Sequence, residues 1–499
     1  AWRRKKYDGR REAIGGDDAK SQDPSGWEDG IPAWLRQLPF RRKKMKKFHA
    51  SKSTGMKTKK SVIAVFDIGK TNKKLLVFDQ QYKVVLEEST RLEETADDDG
   101  FPCEDLGSLT AWMLAQYEKL KTDATLLVKA VNFSTYGASL VHLDEEGKRI
   151  GHLYNYLKPY PEGLMRELMA TQSGAASFAV ATSSPVMGHL NAGLQLYWIK
   201  KEKPELFHRI AATLHFPQYL SHLITGKKMA EMTNVGCHSA LWDFRRMDYH
   251  SWLQEEGLRS RLSSVVTGDT VTAVKGGEEG RPIMAGSGLH DSSAAVIPYL
   301  TCFREPFIIL STGTWTISLN PFNKELPDAA DLEKGCLSYL TYRGQPVKTT
   351  MLFAGNGHDQ QVKRIAAHFN VHTDHFKSLS YQASLMERMA KFEKEMIGSD
   401  GRATLHSATT PSMFHTRNLS LFDTPELAYH RLIADIVGQQ YLSTAMVLKN
   451  SSVQDIYVDG GFCNNKVYMQ QLVNVFADKN VYAANMIQGT ALGAALALH

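Results

Sequence analysis

The 499-residue sequence has no run of eighteen apolar residues, so no membrane span is expected. Its N-terminus is charged where a secretory signal would carry an apolar core. Cysteine is scarce: Cys103, Cys237, Cys302, Cys336 and Cys463 form no Cys-x-x-Cys pair, and their odd number fits reduced thiols in a cytoplasmic setting, not a disulfide framework. The 18 histidines lack metal-ligand spacing, and the close set His368, His372 and His375 has no other ligand types beside it and reads as a solvated helix end. No Gly-x-x-x-x-Gly-Lys-Ser/Thr occurs, which excludes a P-loop, and Gly286-Ser-Gly-Leu-His290 has the wrong surroundings for a dinucleotide fingerprint. There is no short-period repeat.

The length exceeds what one core holds and points to two domains. Hydrophobic content of 43% and charged content of 22% place the chain among ordinary globular proteins. The formal charge of +6 is unevenly spread: residues 1–60 carry 18 Lys/Arg against 7 Asp/Glu, the remainder 41 against 46. The basic end holds Trp2-Arg-Arg-Lys-Lys6 and Arg41-Arg-Lys-Lys-Met-Lys-Lys47 among Gly, Pro, Ser and Asp, with no helical or alternating period. It is expected to be a poorly ordered extension outside the fold, with a nucleic-acid arm as the competing reading. Met45 and Met56 are positions where a natural chain could begin.

From residue 61 the texture changes. Ser61–Phe78 reads as strand, turn, strand, and Tyr82–Leu92 as a third extended piece. A helical stretch Leu106–Leu120 precedes a strand Leu126–Phe133 that runs into Ser134-Thr-Tyr-Gly137. Helix-forming segments follow at Gly188–Lys201 and Pro217–Thr225. Phe307–Leu319 then repeats the opening pattern, about 245 residues on. An amphipathic helix Arg431–Leu448, a strand Asp455–Val458, a helix through Phe476, a strand Val481–Ala484 and a small-residue helix Gly489–Leu498 complete the chain. Strands alternating with helices imply α/β, and the repeated unit implies a duplicated lobe, 61–300 and 301–499, divided near Pro298 and Pro306 with a cleft between copies.

The two turns carry the chemistry. A turn that presents successive backbone N–H groups binds phosphate oxygens, with Gly allowing close approach and Thr adding hydroxyls. Gly69, Lys70, Thr71 and Asn72 form the first such turn; Ser311, Thr312, Gly313 and Thr314 form the second. Asp67 ends the first strand, and a carboxylate beside phosphate makes sense only through a cation such as Mg²⁺. Hairpins also use Asp, Gly and Asn for geometry alone, and it is the matched pair that favours a ligand. A third element, Val458-Asp-Gly-Gly-Phe-Cys-Asn-Asn465, joins strand to helix. Gly460 and Gly461 would let a flat ligand lie against backbone, while Asn464 or Asn465 caps the helix. Gly489-Thr-Ala-Leu-Gly-Ala-Ala495 suits tight packing against another helix.

These segments, in this order, resemble the FGGY carbohydrate kinases of the actin/hexokinase/Hsp70 superfamily. Asp67-Ile-Gly-Lys-Thr-Asn72 is similar to the first phosphate motif and Leu310-Ser-Thr-Gly-Thr-Trp315 to the second. Asp459–Asn465 with Gln470 is similar to the adenosine motif, and Gly489–Ala495 to the helix joining the lobes. Gly288-Leu-His-Asp-Ser-Ser-Ala294 resembles the segment with the family's catalytic aspartate. The resemblance implies two ribonuclease H-like (actin-like ATPase) lobes, ATP and Mg²⁺, and Asp291 as the base that orients a sugar hydroxyl and takes its proton late. An ordinary, low-pKa carboxylate suffices for that role. His-Asp-Ser-Ser also looks like a helix start, so Asp291 has a capping reading, and Asp359 in Gly357-His-Asp359 is a rival.

The sequence departs from the family where sugar is bound. Tyr154-Asn-Tyr-Leu-Lys-Pro159 stands for a Trp-x-Asp-x-Arg-like segment, Gln195-Leu-Tyr-Trp-Ile199 for Lys-Leu-x-Trp-Leu, and Pro217-Gln-Tyr219 for Pro-Asp-Tyr. His189, Asn191, Gln218, Tyr219 and His290 are candidate sugar contacts, with plain packing the alternative for each. The missing arginine favours a deoxy-ketose such as L-rhamnulose or L-fuculose; xylulose, gluconate and glycerol stay open. Expected partners are the small-molecule sugar and, admissibly, a second copy of the chain. Two other classes remain: a chaperone- or actin-like ATPase without a sugar acceptor, and a nucleic-acid binder working through residues 1–60.

Overall fold

A computed structural model describes residues 5–6, 59–277, 280–392, 405–484, 486 and 488–499. Apart from the two-residue strand Lys5–Lys6 and residues 59–60, the basic extension lies outside the described residues.

The first lobe is built on β1 (Lys60–Ile68), β2 (Lys73–Asp79), β3 (Val84–Thr90), β4 (Leu126–Thr135), β5 (Val271–Val274), β6 (Ile283–Gly286) and the short β7 (Leu289–His290). Their order is β5-β6-β4-β1-β2-β3, with β7 also on β4. β1 runs antiparallel to β2 and parallel to β4, and β2 is antiparallel to β3. The second lobe holds β8 (Phe307–Thr312), β9 (Thr316–Asn320), β10 (Cys336–Leu340), β11 (Pro346–Leu352), β12 (Asp455–Gly460) and β13 (Asn480–Ala483). Here β8 is antiparallel to β9 and parallel to β12, and β9 is antiparallel to β11. The runs β4-β1-β2-β3 and β12-β8-β9-β11 have the same order and senses, so the strand-turn-strand duplication extends to whole sheets. The fold is α/β with two lobes of actin-like ATPase architecture.

Burial explains why Val62–Phe66 of β1 is an unbroken apolar run. Val62, Ala64, Phe66 and Ile68 face a core shared with helix α1 (Leu106–Thr122), through Leu106, Leu109, Met113 and Tyr117. Ile63 and Val65 face the opposite way, where Ala491, Ala494 and Ala495 cover them. A strand covered on both faces keeps no polar face. Further helices place the site: α2 (Phe216–Thr225), α3 (Met232–Val235), α4 (Asp291–Ala294) and α5 (Ile297–Cys302) in the first half. In the second half come α6 (Ala354–Phe369), α7 (Pro425–Leu448), α8 (Lys466–Val475) and α9 (Gly489–Leu496). Helix α7 begins a turn and a half before the expected Arg431, because Thr424 caps it through Leu427 N and Pro425 occupies its first turn, where a missing N–H costs nothing.

Although α9 follows the second sheet, it packs on the first. A Cβ at Gly493 would stand 1.8 Å from the Ala294 carbonyl oxygen, so only glycine admits this approach. Asn132 of β4 donates to the Ala494 carbonyl at 2.7 Å, and its Oδ1 accepts from Gly288 N at 3.2 Å. Among the described residues no helix is long and apolar enough to cross a membrane.

The β1–β2 turn is braced from beneath. Lys73, 1% exposed, sends its ammonium to Gly69 O (3.2 Å), Lys70 O (3.0 Å) and Glu104 Oε2 (2.9 Å), and the Tyr136 hydroxyl donates to the same carboxylate at 3.3 Å. Removing one member of a buried pair leaves the other charge uncompensated, at about 3–5 kcal/mol. Lys73→Met should therefore lower the urea-unfolding free energy by about that amount, and Lys73→Met/Glu104→Leu should recover most of it. A loss from the single substitution below about 1 kcal/mol would show that the pair does not brace the turn.

Candidate active site

The two turns close in the same way. Gly69 N donates to Asn72 O at 3.0 Å, and Gly313 N donates to Trp315 O at 2.9 Å. These glycine amides, expected to face phosphate, are engaged in holding their own turns, while those of Lys70, Thr71, Asn72 and Thr314 take no part in the closures. Lys70 pairs with Glu94 at 2.6 Å, and the Asn72 side chain accepts from Arg91 Nε at 3.0 Å. The Thr312 hydroxyl, also expected as a phosphate donor, is fully used within the protein. It donates to Asp459 O at 2.6 Å and accepts from Phe462 N at 3.0 Å, joining the second turn to the Gly460-Gly461 segment. Gly460 has φ +89°, and a Cβ there would come 2.0 Å from Thr312 O.

Asn465 caps α8, accepting from Val467 N and Tyr468 N, and its amide donates to the Tyr429 hydroxyl at 2.7 Å. The capping reading thus describes this side chain, and no direct ligand role is left to its oxygen. Sequence reasoning missed the start of α6. A Cβ at Gly355 would overlap the Gly313 carbonyl oxygen at 1.8 Å, and Asn356 N donates to Thr314 O at 3.1 Å, so α6 is seated on the second turn. The signal was present in Ala354-Gly-Asn-Gly357, glycines at the start of a helix. Asp359, the rival base, has a side chain 77% exposed and paired with its neighbour His358.

Strand β4 brings the acidic groups together. Its Ser134 and Thr135 pair with Asp67 and Ile68 on one side, and with Leu289 and His290 on the other. Asp67 and the His290-Asp291 pair therefore flank one strand end, two strand spacings or about 10 Å apart in backbone. Burial pushes the Asp67 carboxyl up to about 7, helped by repulsion from Asp291 and opposed by Lys74. Burial likewise pushes Asp291 up to about 6, against hydrogen bonds from Ser292. This corrects the expectation of an ordinary low-pKa base. Protein crowds Asp291 closely, and the 34% of its side chain left open moderates the shift without reversing it. Asp291 is the first residue of α4 and does not cap it; its Oδ1 accepts from the Ser292 N–H and hydroxyl. Both side chains are carboxylates, the hard oxygen donors that a divalent cation such as Mg²⁺ takes.

Around Asp291 lies a group of buried polar side chains. His290 Nε2 is 3.3 Å from Asp291 Oδ1, and burial lowers the imidazole to about 4, which keeps it neutral. His238 lies 5.7 Å away, ring to ring, and its Nδ1 meets the hydroxyl of Tyr339 from the second lobe at 3.0 Å. Gly137 makes room for both, since a Cβ there would be 2.9 Å from His290 Nε2 and 3.3 Å from His238 Cε1. Gln218 donates to Ser287 O at 3.1 Å and Gly288 O at 2.8 Å. Ser134 Oγ, His215 Nε2, Gln218 Oε1, Ser287 Oγ and His290 Nδ1 are all buried without a hydrogen-bond partner. The charge of Asp291 also raises Tyr156, which burial pushes up to about 12, so Tyr156 belongs to the same surroundings.

Of the expected sugar contacts, the structure brings His290 and Gln218 to this group. The Asn191 side chain is fully engaged: it accepts from Met187 N at 2.6 Å and donates to Ser184 Oγ, Pro185 O and His238 O. Tyr219, one helix position beyond Gln218, turns into the core with Leu106 and Phe133. His189 sits between the rings of Tyr160 and Trp198, 4.9 Å from each, with neither ring nitrogen partnered. Gly137, Tyr156, His215, His238 and Tyr339 were not foreseen; they come from five separate segments. Among the described residues the one cluster with metal-ligand proximity is Asp97, Asp98 and Asp99, and Lys158 and Lys203 neutralise it. His375 pairs with Glu426 at 2.6 Å instead of sharing an ion with His368 and His372.

Residues 62–296 match the N-terminal domain of the FGGY family of carbohydrate kinases, and residues 304–499 match the C-terminal domain of carbohydrate kinase FGGY. A rhamnulokinase from Klebsiella pneumoniae is 27% identical over 252 residues, 45% of this chain and 46% of that protein. The match thus spans about half the length of that curated relative. A rhamnulokinase from Halalkalibacterium halodurans is 24% identical over 445 residues, covering 86% of this chain and 91% of its own. Among solved structures, ligand-bound xylulose kinase from Lactobacillus acidophilus superposes with a TM-score of 0.72 at 16% identity, covering 88% of this chain and 89% of the other, a likeness of fold.

The buried histidines set a pH dependence. Burial lowers His142, His189 and His290 to about 4, and His215 and His238 to about 3. An unfolded chain protonates each below about 6.5, so stability present above that pH is lost as pH falls toward the folded values. Asp67, Asp291 and Glu231, raised to about 7, 6 and 7, act in the opposite sense, but they are three against five. Unfolding free energy should therefore decline by roughly 1–3 kcal/mol per pH unit between about pH 6.5 and 5 in urea titrations. His142→Asn should flatten that slope by about 1 kcal/mol per unit, and a profile rising toward acid would contradict the assignment.

Proposed function

The chain belongs to the FGGY family of carbohydrate kinases, and from that premise we propose that it transfers the γ-phosphate of ATP to a hydroxyl of a small sugar, with Asp291 as the base. The observation that carries this reading is the placement of Asp291: beside neutral His290, across β4 from Asp67, among buried polar atoms that lack partners. Such atoms suit a ligand that offers several hydroxyls, since each then satisfies a group otherwise desolvated at a cost.

In the proposed reaction Asp291 holds the acceptor hydroxyl and takes its proton as the oxygen bonds to the γ-phosphorus and the bond from phosphorus to the ADP oxygen breaks. A carboxyl near 6 is mostly ionised at pH 7 and so can accept that proton. His290, neutral and 3.3 Å away, can donate to the carboxylate and fix its orientation. The turns at Gly69–Asn72 and Thr312–Thr314 would hold the phosphates and the Gly460-Gly461 backbone the adenosine. Asp67 would hold Mg²⁺, whose charge would neutralise the phosphate oxygens when bound.

Among acceptors we favour L-rhamnulose. The rhamnulokinase likeness over 86% of the chain supports it, as does Lys158 standing where an arginine is usual. L-fuculose, xylulose, gluconate and glycerol are the comparison set. A coupled ADP-release assay across these five tests the reading: sugar-dependent turnover is expected, strongest with the deoxy-ketoses. ATP hydrolysis indifferent to every sugar would instead fit a chaperone- or actin-like ATPase. Asp291→Asn should reduce turnover by roughly 10²-fold or more while ATP binding, followed by calorimetry, persists. Wild-type turnover in that variant would remove Asp291 from the base role.

A further inference from the structure

Behind His290 and Asp291 lies a buried carboxyl that the reaction above does not use. Glu231 is 0% exposed and immediately precedes α3. Its Oε2 accepts the Thr233 hydroxyl at 2.6 Å and the Asn234 amide at 3.1 Å. Thr233 Oγ1 accepts the backbone N–H of His290 at 2.9 Å. A hydroxyl has a single proton, so its donation to Glu231 commits the oxygen's lone pairs to His290. The carboxylate therefore sets the direction of the bond that anchors the residue next to Asp291.

The surroundings leave little slack. A Cβ at Gly268 would lie 2.6 Å from Leu289 Cδ2, 2.7 Å from Tyr342 Cβ and 2.9 Å from Glu231 Oε1. Gly268 N donates to Tyr342 O of the second lobe at 2.6 Å. Leu289, the strand residue before His290, is thus wedged among Glu231, Gly268 and the other lobe. Burial pushes the Glu231 carboxyl up to about 7 while its Thr233 and Asn234 bonds pull it down, and Oε1 has no partner.

We propose that Glu231 and Thr233 are positioning residues of the phosphoryl-transfer site: the carboxylate orients the Thr233 hydroxyl, which holds the His290 N–H and so fixes where the Asp291 carboxylate meets the acceptor. This rests on the kinase reading, and the test separates the two.

Thr233→Val, Thr233→Ser and Glu231→Met are compared in the full chain. Amide hydrogen exchange at His290 needs no turnover. It should be about ten-fold or more faster in Thr233→Val, and within about three-fold of wild type in Thr233→Ser, which keeps the hydroxyl. With the sugar that the wild type phosphorylates, Thr233→Val and Glu231→Met, which removes the acceptor of the Thr233 hydroxyl, should lower kcat roughly ten- to hundred-fold, with KM for ATP changed less than about two-fold. Thr233→Ser should restore kcat to within about three-fold. Unchanged kcat and exchange in Thr233→Val, or equal impairment of Val and Ser, would overturn the proposal. Should Thr233→Val not fold, Glu231→Met against Thr233→Ser decides by the same two readings. If the wild type phosphorylates no sugar, the kinase reading fails, and exchange at His290 still shows whether the relay holds the strand in place.

Discussion

The burial of Asp67 and Asp291 about one strand end is the constraint on which the site depends. Loss of water raises the proton affinity of both carboxyls, and the charge of Asp291 adds to the shift of Asp67. What holds them there is backbone. β4 pairs with β1 and β7 at once, and Asn132 ties that strand to Gly288 on one side and to the C-terminal helix on the other. Below the first turn the Lys73–Glu104 pair supplies a buried charge balance of its own. The cost of burying these carboxyls is thus placed where β4 is hydrogen-bonded along both edges.

The second lobe repeats the scaffold without the charge. Its turn has Thr312 where the first has Ile68, and its glycine closure is the same. Thr312, Asp459 and Phe462 lock that turn to the neighbouring strand, and the Tyr299 hydroxyl meets Asp459 Oδ2 at 3.1 Å, so α5, which follows the His290-Asp291 segment, is tied to the Gly460-Gly461 segment. Tyr339 against His238 makes a second bridge between lobes. One duplicated design thus carries an aspartate ahead of the turn in one half and an uncharged Ser311 in the matching place of the other.

The sequence made the scaffold legible because duplicated strand-turn-strand units leave local marks: apolar runs, a glycine and a threonine at fixed offsets, and small residues in the last helix. The family followed from the order of those marks. The sugar side was far less readable. Gln218 and Tyr219 are adjacent letters, yet about 100° around a helix sends one toward Ser287 and the other into the core. Asn191 looked like a ligand residue because nothing local revealed its four protein partners. Gly137, His238 and Tyr339 meet only through tertiary contact across about 200 residues, which no spacing rule encodes. The acidity of Asp291 was misjudged for the same reason, since burial is a property of the assembled cleft.

The seating of α9 has a consequence for biosynthesis. The face of β1 that shows Ile63 and Val65 is covered by alanines more than 400 residues later, and the Asn132 amide finds its acceptor 362 positions downstream. During vectorial synthesis the early sheet leaves the ribosome with one greasy side bare until those later residues have been made. For that interval it offers a sticky surface to chaperones or to sister nascent chains, so the yield of native protein is set as much by who guards that side as by the final packing.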